Sequence, residues 1–245
     1  STFEEAFELA KNNSKYKIVI PIENSLAGRV ADIHYLIPRY KLQIHAEHFQ
    51  KVTHNLLGIK GSKIKDIKTV RSHSQAIGQC SKIIFENKFK PIISADTAGS
   101  AKFISKKKDK TDSAIASDLA AKIYGLEIIK SKVEDEPGNV TRFFIMGKDT
   151  MHPQHKDKKY ITSCIFKLKS IPAALYKALG GFATNGVNLC KLESFSVKNT
   201  FDQVNFYIDI EGHIEETSLQ KALEELGFHT QKLEVLGVYE AHQFR

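Results

Sequence analysis

Hydrophobic and polar positions divide the chain into a long first region and a shorter second region with different element orders. The first region begins with a helix over residues 1–13, in which Ser1 and Glu4 have the spacing of a capping box. A short apolar strand over residues 16–20 follows and is predicted to stop at Pro21. Two further strand-like runs lie between Leu42 and Leu57. Both helix and strand periods therefore occur early in the chain.

Three strand–turn–helix units follow, in an order typical of an α/β domain. A strand around Val70 precedes a helix over residues 75–87, a strand over 91–94 precedes a helix capped by Asp96 or Thr97, and a strand over 113–117 precedes a helix over 118–124. Gly125 is predicted to end the last of these helices. The sequence thus predicts a repeated supersecondary unit.

The turns of these units carry small polar side chains. Ser72 and Ser74 are placed to cap the helix that follows them. Ligands of open α/β sheets collect outside the carboxyl ends of the strands, where helix N-termini also attract anions. We therefore expect one cleft to be lined by the polar residues of the three turns: Ser72, Gln75, Thr97 and Ser117.

Two other stretches place polar residues at a strand end. Glu23, Asn24 and Ser25 follow the strand over 16–20, where they serve either as ligand contacts or, for Asn24 and Ser25, as a helix cap. Gly138 to Gly147 combines a turn with an apolar strand that contains Thr141 and Arg142. Residue types alone leave this second stretch as either an ordinary strand or a wall of a binding site.

The second region begins after residues 148–158, which lose all apolar periodicity and are predicted to be a linker. The remaining chain is predicted to form a strand over 160–168, a helix over 172–185, strands over 187–195 and 202–210, a helix over 217–226 and a strand over 232–239. This order is βαββαβ, the ferredoxin-like pattern of a small second domain.

Composition narrows the functional classes. Apolar residues make up 42% of the 245 residues, yet no stretch approaches the roughly 18 uninterrupted apolar residues of a membrane span. The net charge is +8, but the densest basic run, Lys106 to Lys110, lacks interleaved aromatic residues, so a small anionic substrate is favoured over a nucleic acid. Three widely spaced cysteines favour the reducing cytoplasm.

The sequence lacks the common motifs for binding a nucleotide cofactor or a metal. The chain contains no GxGxxG or Walker-type glycine pattern, which disfavours dinucleotides and nucleoside triphosphates. His45, His48 and His54 lack the spacing of a helical metal site. The motifs therefore favour a site for an organic polyanion without a nucleotide loop and without a metal.

Five motifs, taken in order, resemble prephenate dehydratase: PIENSLAG, SHSQAIGQC, ADTAGSA, AIASDLAAKIYGL and NVTRFF. The βαββαβ tail resembles the ACT regulatory domain of that family. The resemblance implies a two-lobed, periplasmic-binding-protein-like α/β catalytic region over 1–147, a linker over 148–158 and an ACT domain over 159–245. It also implies the conversion of prephenate to phenylpyruvate in phenylalanine biosynthesis, without a cofactor, by a cytoplasmic homodimer or tetramer that L-phenylalanine regulates.

The resemblance implies a role for particular residues. Thr141 matches the position that the family needs for dehydration, and we expect it to donate a hydrogen bond to the departing hydroxyl, since a threonine hydroxyl is a very weak acid. Arg142 either pairs with a substrate carboxylate or braces the sheet. The remaining substrate positions are Asn24, Ser25, Ser72, Gln75, Thr97, Ala98, Asn139 and Phe143. The effector positions are Ala174, Leu175, Asn188, Leu189, Glu193 and Ser194.

The sequence departs from the family pattern at three places. The strand and glycine-rich turn that open the family's catalytic region are not contained in residues 1–245, and the sequence does not say whether they, or a chorismate mutase segment, precede Ser1. Ser74 stands where proline is usual. In the effector motifs, Ala173 replaces a glycine, and Phe195 and Ser196 replace Arg-Pro. Two alternatives stay open: an arogenate dehydratase, or a non-catalytic protein that binds a solute or senses an amino acid.

Overall fold

The computed structural model describes residues 2–151, 153–196 and 204–245, and within that range the side chains other than those of residues 31 and 32. The chain forms two compact units. Unit 1 contains Ser1–Asn24, Gly28–Gln50 and Arg142–Arg245, and unit 2 contains Ser25–Ala27 and Lys51–Thr141. The first predicted region is thus shared between the units, and all of the second region belongs to unit 1. No helix in the described ranges is long and apolar enough to cross a membrane.

Unit 1 begins with two helices and a four-stranded sheet. The bounds are α1 (Phe3–Asn12), β1 (Ile18–Asn24), β2 (Gly28–Arg29), α2 (Ala31–Tyr40), β3 (Gln43–Lys51) and β9 (Val140–Gly147). The strand order is β2-β1-β9-β3. The last residue of β3, Lys51, and the first two residues of β9, Val140 and Thr141, belong to unit 2.

A second sheet of unit 1 has the predicted βαββαβ order. Its elements are β10 (Tyr160–Leu168), α7 (Ala174–Thr184), β11 (Leu189–Ser196), β12 (Val204–Glu211), α8 (Thr217–His229) and β13 (Thr230–Glu240). The strands pair antiparallel in the order β11-β12-β10-β13. The ferredoxin-like prediction is therefore confirmed, although its first helix begins at Ala174 rather than at Pro172, and residues 202 and 203 of the predicted third strand lie outside the described residues.

Both faces of this second sheet are covered. On one face, Cys164, Phe166 and Ile208 pack with apolar residues of α7 and α8. On the other face, Ile161, Tyr207 and other residues join the core that α1, α2 and the first sheet form. The two sheets of unit 1 therefore share one hydrophobic core, and burial of that core is a favourable term of folding for both.

Unit 2 is built on a five-stranded mixed sheet with the order β6-β5-β7-β4-β8. Strand β5 is parallel to β6 and to β7, whereas β4 is antiparallel to β7 and to β8. The elements are β4 (Asn55–Gly58), β5 (Thr69–Ser72), α3 (Ser74–Gln79), α4 (Ser81–Glu86), β6 (Lys90–Ile93), α5 (Thr97–Lys107), β7 (Asp112–Ala116), α6 (Asp118–Tyr124) and β8 (Glu127–Lys130). The three strand–turn–helix units are confirmed.

Several local predictions near the start of the chain are wrong. The capping box of α1 is formed by Thr2 and Glu5, one residue after the predicted pair, and Ser1 lies outside the described residues. Strand β1 does not stop at Pro21, because proline removes one N–H donor but has a φ that suits a strand, and β9 and β2 pair beside β1. Asn24 ends this strand and caps no helix.

Other local predictions fail for related reasons. Ser25 lies in the turn between β1 and β2, so it is not a helix cap either. The single helix predicted over residues 75–87 is divided into α3 and α4 at Cys80. His73, rather than Ser72 or Ser74, caps α3 by accepting a hydrogen bond from the Gln75 backbone. The sequence patterns also missed α2 and β8 entirely.

Candidate functional site

The predicted turns of unit 2 lie at one edge of its sheet. Because β5, β6 and β7 are parallel, their carboxyl ends share this edge. Strand β4 runs the other way, and its first residue, Asn55, pairs with Ala116 at the end of β7, so the amino end of β4 lies there too. The edge therefore carries predicted site residues from all three turns: Ser72, Gln75, Thr97, Ala98 and Ser117.

Ser25 connects the PIENSLAG stretch to the turn before Thr141. Its backbone N–H donates to the Val140 carbonyl oxygen at 2.8 Å, and its Oγ accepts from the Val140 backbone N–H at 2.9 Å. The same hydroxyl lies 3.2 Å from the Gly138 carbonyl oxygen, to which it donates. Two motifs that are more than a hundred residues apart in sequence are thus hydrogen-bonded, and the hydroxyl of Ser25 holds the backbone beside Thr141.

Asn139 belongs to a buried amide and imidazole cluster. Its Nδ2 donates to Gln79 Oε1 at 2.9 Å, and the same oxygen lies 3.0 Å from His54 Nε2. Asn139 and His54 are both nearly inaccessible to solvent. The sequence patterns did not indicate Gln79, although it lies inside the SHSQAIGQC motif, and His54 was considered only as a metal ligand. His54 is therefore a partner of the predicted site.

The remaining turn residues of unit 2 differ in what their polar groups contact. Ser72 is buried, and its hydroxyl donates to the Ile115 carbonyl oxygen at 2.7 Å across the neighbouring strand. At the start of α5, Asp96 is the N-cap and accepts from the Gly99 backbone. The N–H groups of Thr97 and Ala98 belong to the first helical turn, where the helix itself supplies no acceptor. The N–H groups of Thr97 and Ala98 therefore have no hydrogen-bond acceptor within the helix.

Strand β9 alternates along its length. Val140, Arg142 and Phe144 are buried, whereas Thr141 and Phe143 are half-buried. Because successive side chains of a strand point to opposite faces, Thr141 and Phe143 share one face and Arg142 lies on the other. Phe144 therefore belongs to the hydrophobic core, and Phe143 lies beside Thr141 on the more accessible face.

Arg142 is at the centre of a buried polar network in unit 1. Its Nε donates to Glu47 Oε2 at 2.9 Å, its Nη1 to Asp209 Oδ2 at 2.6 Å and its Nη2 to the Tyr239 hydroxyl at 3.1 Å. Arg245 binds the same two carboxylates, with Nε 2.7 Å from Glu47 Oε1 and Nη2 3.1 Å from Asp209 Oδ2. Two arginines thus neutralise two carboxylates that have no exposed side-chain surface.

Burial and charge act in opposite directions on this network. Burial lowers the pKa of Arg142, but Tyr239, Asp209 and the other groups around it raise it, and the net direction is upward. Burial raises the pKa of Asp209, but the charge of Arg142 and the hydrogen bonds from Ser163 and Tyr207 lower it below its usual value. Arg142 and Asp209 are therefore both ionised at neutral pH, and Arg142 joins β9 to the second sheet.

The predicted effector residues lie on β11 and around α7. Glu193 Oε2 is 3.0 Å from Lys191 Nζ, its Oε1 is 3.4 Å from Arg29 Nε, and the Ser194 carbonyl oxygen accepts from Arg29 Nη1 at 2.8 Å. Asn188 is exposed before β11. Leu189 opens β11, and Ala174 and Leu175 form the first turn of α7. Ala173, which replaces the usual glycine, has a left-handed φ of 58°.

One group in the described ranges has side chains that could ligate a metal: His155, His213 and Glu215, whose candidate ligand atoms lie within 4.8 Å of one another. Both nitrogens of His213 already have partners, since Nε2 donates to the Pro153 carbonyl oxygen at 2.8 Å and Nδ1 accepts from the Glu215 N–H at 3.2 Å. The two imidazole rings stack at 9°. Stacked rings direct their lone pairs along parallel planes rather than toward one point, so we assign no metal here.

Comparison with known proteins identifies the family. Residues 1–151 match the sequence profile of the family described as prephenate dehydratase. The bifunctional N-acyl-homoserine lactone acylase/prephenate dehydratase of Komagataeibacter europaeus is 42% identical over 100% of this chain and 87% of that protein. The chloroplastic arogenate dehydratase/prephenate dehydratase 1 of Arabidopsis thaliana is 37% identical over 97% of this chain, which spans only 64% of that protein.

A solved structure agrees with these matches. The crystal structure of prephenate dehydratase from Arthrobacter aurescens in complex with L-Phe superposes with a TM-score of 0.87, at 27% identity, over 98% of this chain and 80% of that one. The sequence match covers the stretch that carries Thr141, and the fold match covers nearly the whole chain. The chain belongs to the prephenate dehydratase family.

Proposed function

We propose that this protein converts prephenate to phenylpyruvate, with loss of water and carbon dioxide, at a site that contains Thr141. The observation that carries this proposal is the hydrogen bonding of Ser25 to both sides of residue 139, which fixes the backbone leading to Thr141. Since expulsion of the ring hydroxyl with decarboxylation gains aromaticity, the enzyme needs mainly orientation and one proton donor. These needs are modest enough for a site without a metal or cofactor.

In this proposal Thr141 polarises the departing hydroxyl. It is half-buried on the face of β9 that does not carry Arg142, beside Phe143, whose ring contributes apolar contact to the substrate. A hydrogen bond donated in a partly desolvated site is stronger than the same bond in water. Thr141 therefore acts by stabilising negative charge that develops on the leaving oxygen, while a proton arrives through the surrounding polar groups.

In the same proposal some of the other predicted residues bind the substrate and others hold the protein around it. Gln75 and the free first-turn N–H groups of Thr97 and Ala98 bind the substrate carboxylates, because such groups and the positive end of a helix favour anions. Asn24, at the end of β1, stays a predicted substrate residue on the strength of the family motif. Ser25, Ser72 and Asn139 hold the frame, since their described hydrogen bonds are to the protein itself. For Arg142, the contacts to Glu47, Asp209 and Tyr239 support the bracing role over direct binding.

The experiment is a turnover assay on the complete protein with prephenate and with arogenate in parallel. Phenylpyruvate forms from the first substrate and phenylalanine from the second, so the two products separate the two dehydratase activities. We expect the larger kcat/KM with prephenate. A larger kcat/KM with arogenate would replace this proposal with the arogenate alternative, and binding without turnover of either substrate would support the non-catalytic alternative.

We also propose that the second sheet of unit 1 is an ACT domain that binds L-phenylalanine and joins two copies of the chain. The Arthrobacter relative was solved with L-Phe bound, which supports the choice of ligand. In the described residues strand β11 is an edge of its sheet, and a sheet edge is a natural surface for a second chain. The cytoplasmic location expected from the sequence, and the choice between a homodimer and a tetramer, stay predictions.

Calorimetry and mass measurement test this second proposal together. We expect L-phenylalanine to bind with one site per chain and D-phenylalanine not to bind, because the effector residues recognise the amino and carboxylate groups in a fixed geometry. Light scattering after gel filtration should give a mass of at least two chains. A monomer that binds phenylalanine, or a dimer that does not, would contradict the arrangement.

A further inference from the structure

Side chains of strand β11 contact both strands of the hairpin formed by β1 and β2. Glu23 on β1 is the direct cross-strand partner of Arg29 on β2. Glu23 Oε1 lies 2.8 Å from Lys191 Nζ, and Arg29 Nε lies 3.4 Å from Glu193 Oε1. The two residues that are paired across the hairpin therefore each reach a charged residue of opposite sign on the same strand of the second sheet.

These contacts form one line of alternating charges. Lys191 Nζ also lies 3.0 Å from Glu193 Oε2, and Arg142 Nη1 lies 4.0 Å from Glu23 Oε2. The order along the line is Arg142, Glu23, Lys191, Glu193 and Arg29, so every neighbour has the opposite sign. Only 15% of the Lys191 side chain is exposed, and partly buried pairs are screened by salt less than exposed pairs are. Lys191 is the central cation of the line.

The hairpin carries a residue of the proposed site. Asn24 directly follows Glu23 and pairs with Gly28 at the last position before the turn. We propose that Lys191 is a positioning residue for the dehydratase reaction, which acts through Glu23 to fix Asn24 at the end of β1. Because Lys191 lies between two predicted effector residues, Leu189 and Glu193, the same contact links that strand to the substrate site. This inference rests on the proposed function.

The test compares Lys191→Met with Lys232→Met in the complete protein. Methionine keeps the length of the lysine stem but removes its charge. Lys232 pairs with Glu234 at 2.7 Å on β13 of the same sheet and is 63% exposed, so it controls for the loss of a paired lysine charge as such. For Lys191→Met we expect a rise in KM for prephenate of about three- to tenfold with a smaller change in kcat, and weaker inhibition by phenylalanine. Lys191→Arg should have a KM close to that of the wild type.

A second readout does not depend on activity. Hydrogen exchange of the backbone amides at residues 22–30 should be faster in Lys191→Met than in wild type and unchanged in Lys232→Met. Glu23→Gln should change KM and exchange in the same direction as Lys191→Met, and the double variant should show less than the sum of the two single effects, because both changes remove the contact between Lys191 and Glu23. If Lys191→Met does not fold, Glu23→Gln alone tests the same pair.

The outcomes distinguish failure of the proposed function from failure of the positioning role of Lys191. Wild-type protein without turnover would overturn the proposed function and leave hydrogen exchange to test the contact. Active wild type together with unchanged KM, inhibition and exchange in Lys191→Met would overturn the positioning role. Equal effects in Lys232→Met would overturn it as well, because they would show a general response to lost charge.

Discussion

Thr141 and Arg142 are adjacent in the sequence but belong to different parts of the molecule. Thr141 lies on the half-buried face of β9, whereas Arg142 lies on the buried face with its guanidinium group bound by Glu47 and Asp209. A single short motif thus combines a residue proposed to contact substrate with one that fixes the strand. The sequence could place both residues at the motif, but only the alternation of the folded strand assigns them to opposite faces.

His34 should make stability depend on pH. It is 1% exposed, its Nε2 has no hydrogen-bond partner among the described residues, and Glu193 lies 4.0 Å away with Arg29 and Lys191 nearby. Burial lowers the pKa of His34 below its usual 6.5. The native state therefore stays neutral at a pH where the unfolded chain binds a proton. Stability is full above about pH 6.5 and is lost as the pH falls toward the native pKa.

Denaturant unfolding between about pH 7 and pH 5 measures this effect, with a slope of up to about 1.4 kcal/mol per pH unit for one proton. His34→Phe should reduce the slope, because phenylalanine fills the site beside Phe195 and Tyr207 and does not titrate. An unchanged slope in His34→Phe would contradict the assignment.

Ala173 should be a position where glycine stabilises the fold. Its φ of 58° and ψ of 27° lie in the left-handed region, which costs a residue with a Cβ about 1–2 kcal/mol. Part of this gain is offset by the greater entropy of glycine in the unfolded chain. Ala173→Gly should therefore raise the free energy of unfolding by roughly 0.5–1 kcal/mol. Ala183→Gly, on the exposed side of the same helix, should lower it, and a loss at both positions would refute the argument.

At the scale of elements, the predicted bounds were correct where residues close together in the sequence determine where an element begins and ends. The helix α6 and the strand β10 have the predicted bounds, since a serine cap, a terminal glycine and an uninterrupted apolar run define them. The failures have non-local causes. Pro21 lies inside β1 because β9, which is distant in sequence, pairs beside it. The helix α2, which was not predicted, contains Pro38, a residue that is unfavourable inside a helix.

The close approach of β13 to β3 should make Gly237 sensitive to substitution. A Cβ at Gly237 would lie 2.9 Å from the Ile44 Cβ and would overlap the Ile44 carbonyl oxygen. Since backbone atoms cannot move aside cheaply, Gly237→Ala should destabilise the protein by about 1–3 kcal/mol. Gly180→Ala, inside α7 with nothing within 4 Å, should instead stabilise by up to about 1 kcal/mol. Thermal unfolding of the two variants gives the comparison, and equal shifts would contradict it.

At the scale of the whole chain, the two compact units are not the two regions that the sequence patterns suggested. The second sheet shares its core with the first sheet and receives Arg142 between Asp209 and Tyr239. Periodicity locates elements along the chain but does not report which faces are buried together. The candidate site was predictable as a set of strand ends, whereas its partners Gln79 and His54 and the contacts of Lys191 required the folded structure.

The charge of the chain is concentrated in unit 2. Residues 51–141 contain 17 lysines and arginines against 10 acidic residues, a net of +7 out of +8 for the whole chain. A doubly negative substrate should therefore be attracted before it binds. We expect kcat/KM for prephenate to fall as ionic strength rises from about 0.01 M to about 0.1 M, where the screening length shortens from roughly 30 Å to roughly 10 Å, while kcat changes little.

The charge-neutralised variant Lys106→Gln/Lys108→Gln provides the control for this salt effect. It should show a lower kcat/KM at low salt and a weaker dependence on salt. Its kcat should equal that of the wild type, because these lysines lie at the end of α5 opposite to Thr97. A kcat/KM that is independent of salt in the wild type would exclude steering.

The most direct test of the central claim is the kcat for prephenate of Thr141→Ala beside that of Thr141→Ser. Serine keeps the hydroxyl and alanine removes it, and neither change fills or empties the core, because Thr141 is only half-buried. We expect kcat to fall by about 10²- to 10³-fold in Thr141→Ala, as for loss of one donor to a developing oxyanion, and by less than about tenfold in Thr141→Ser. A kcat for Thr141→Ala within about threefold of the wild type, in a folded protein, would show that the Thr141 hydroxyl does not take part in the reaction.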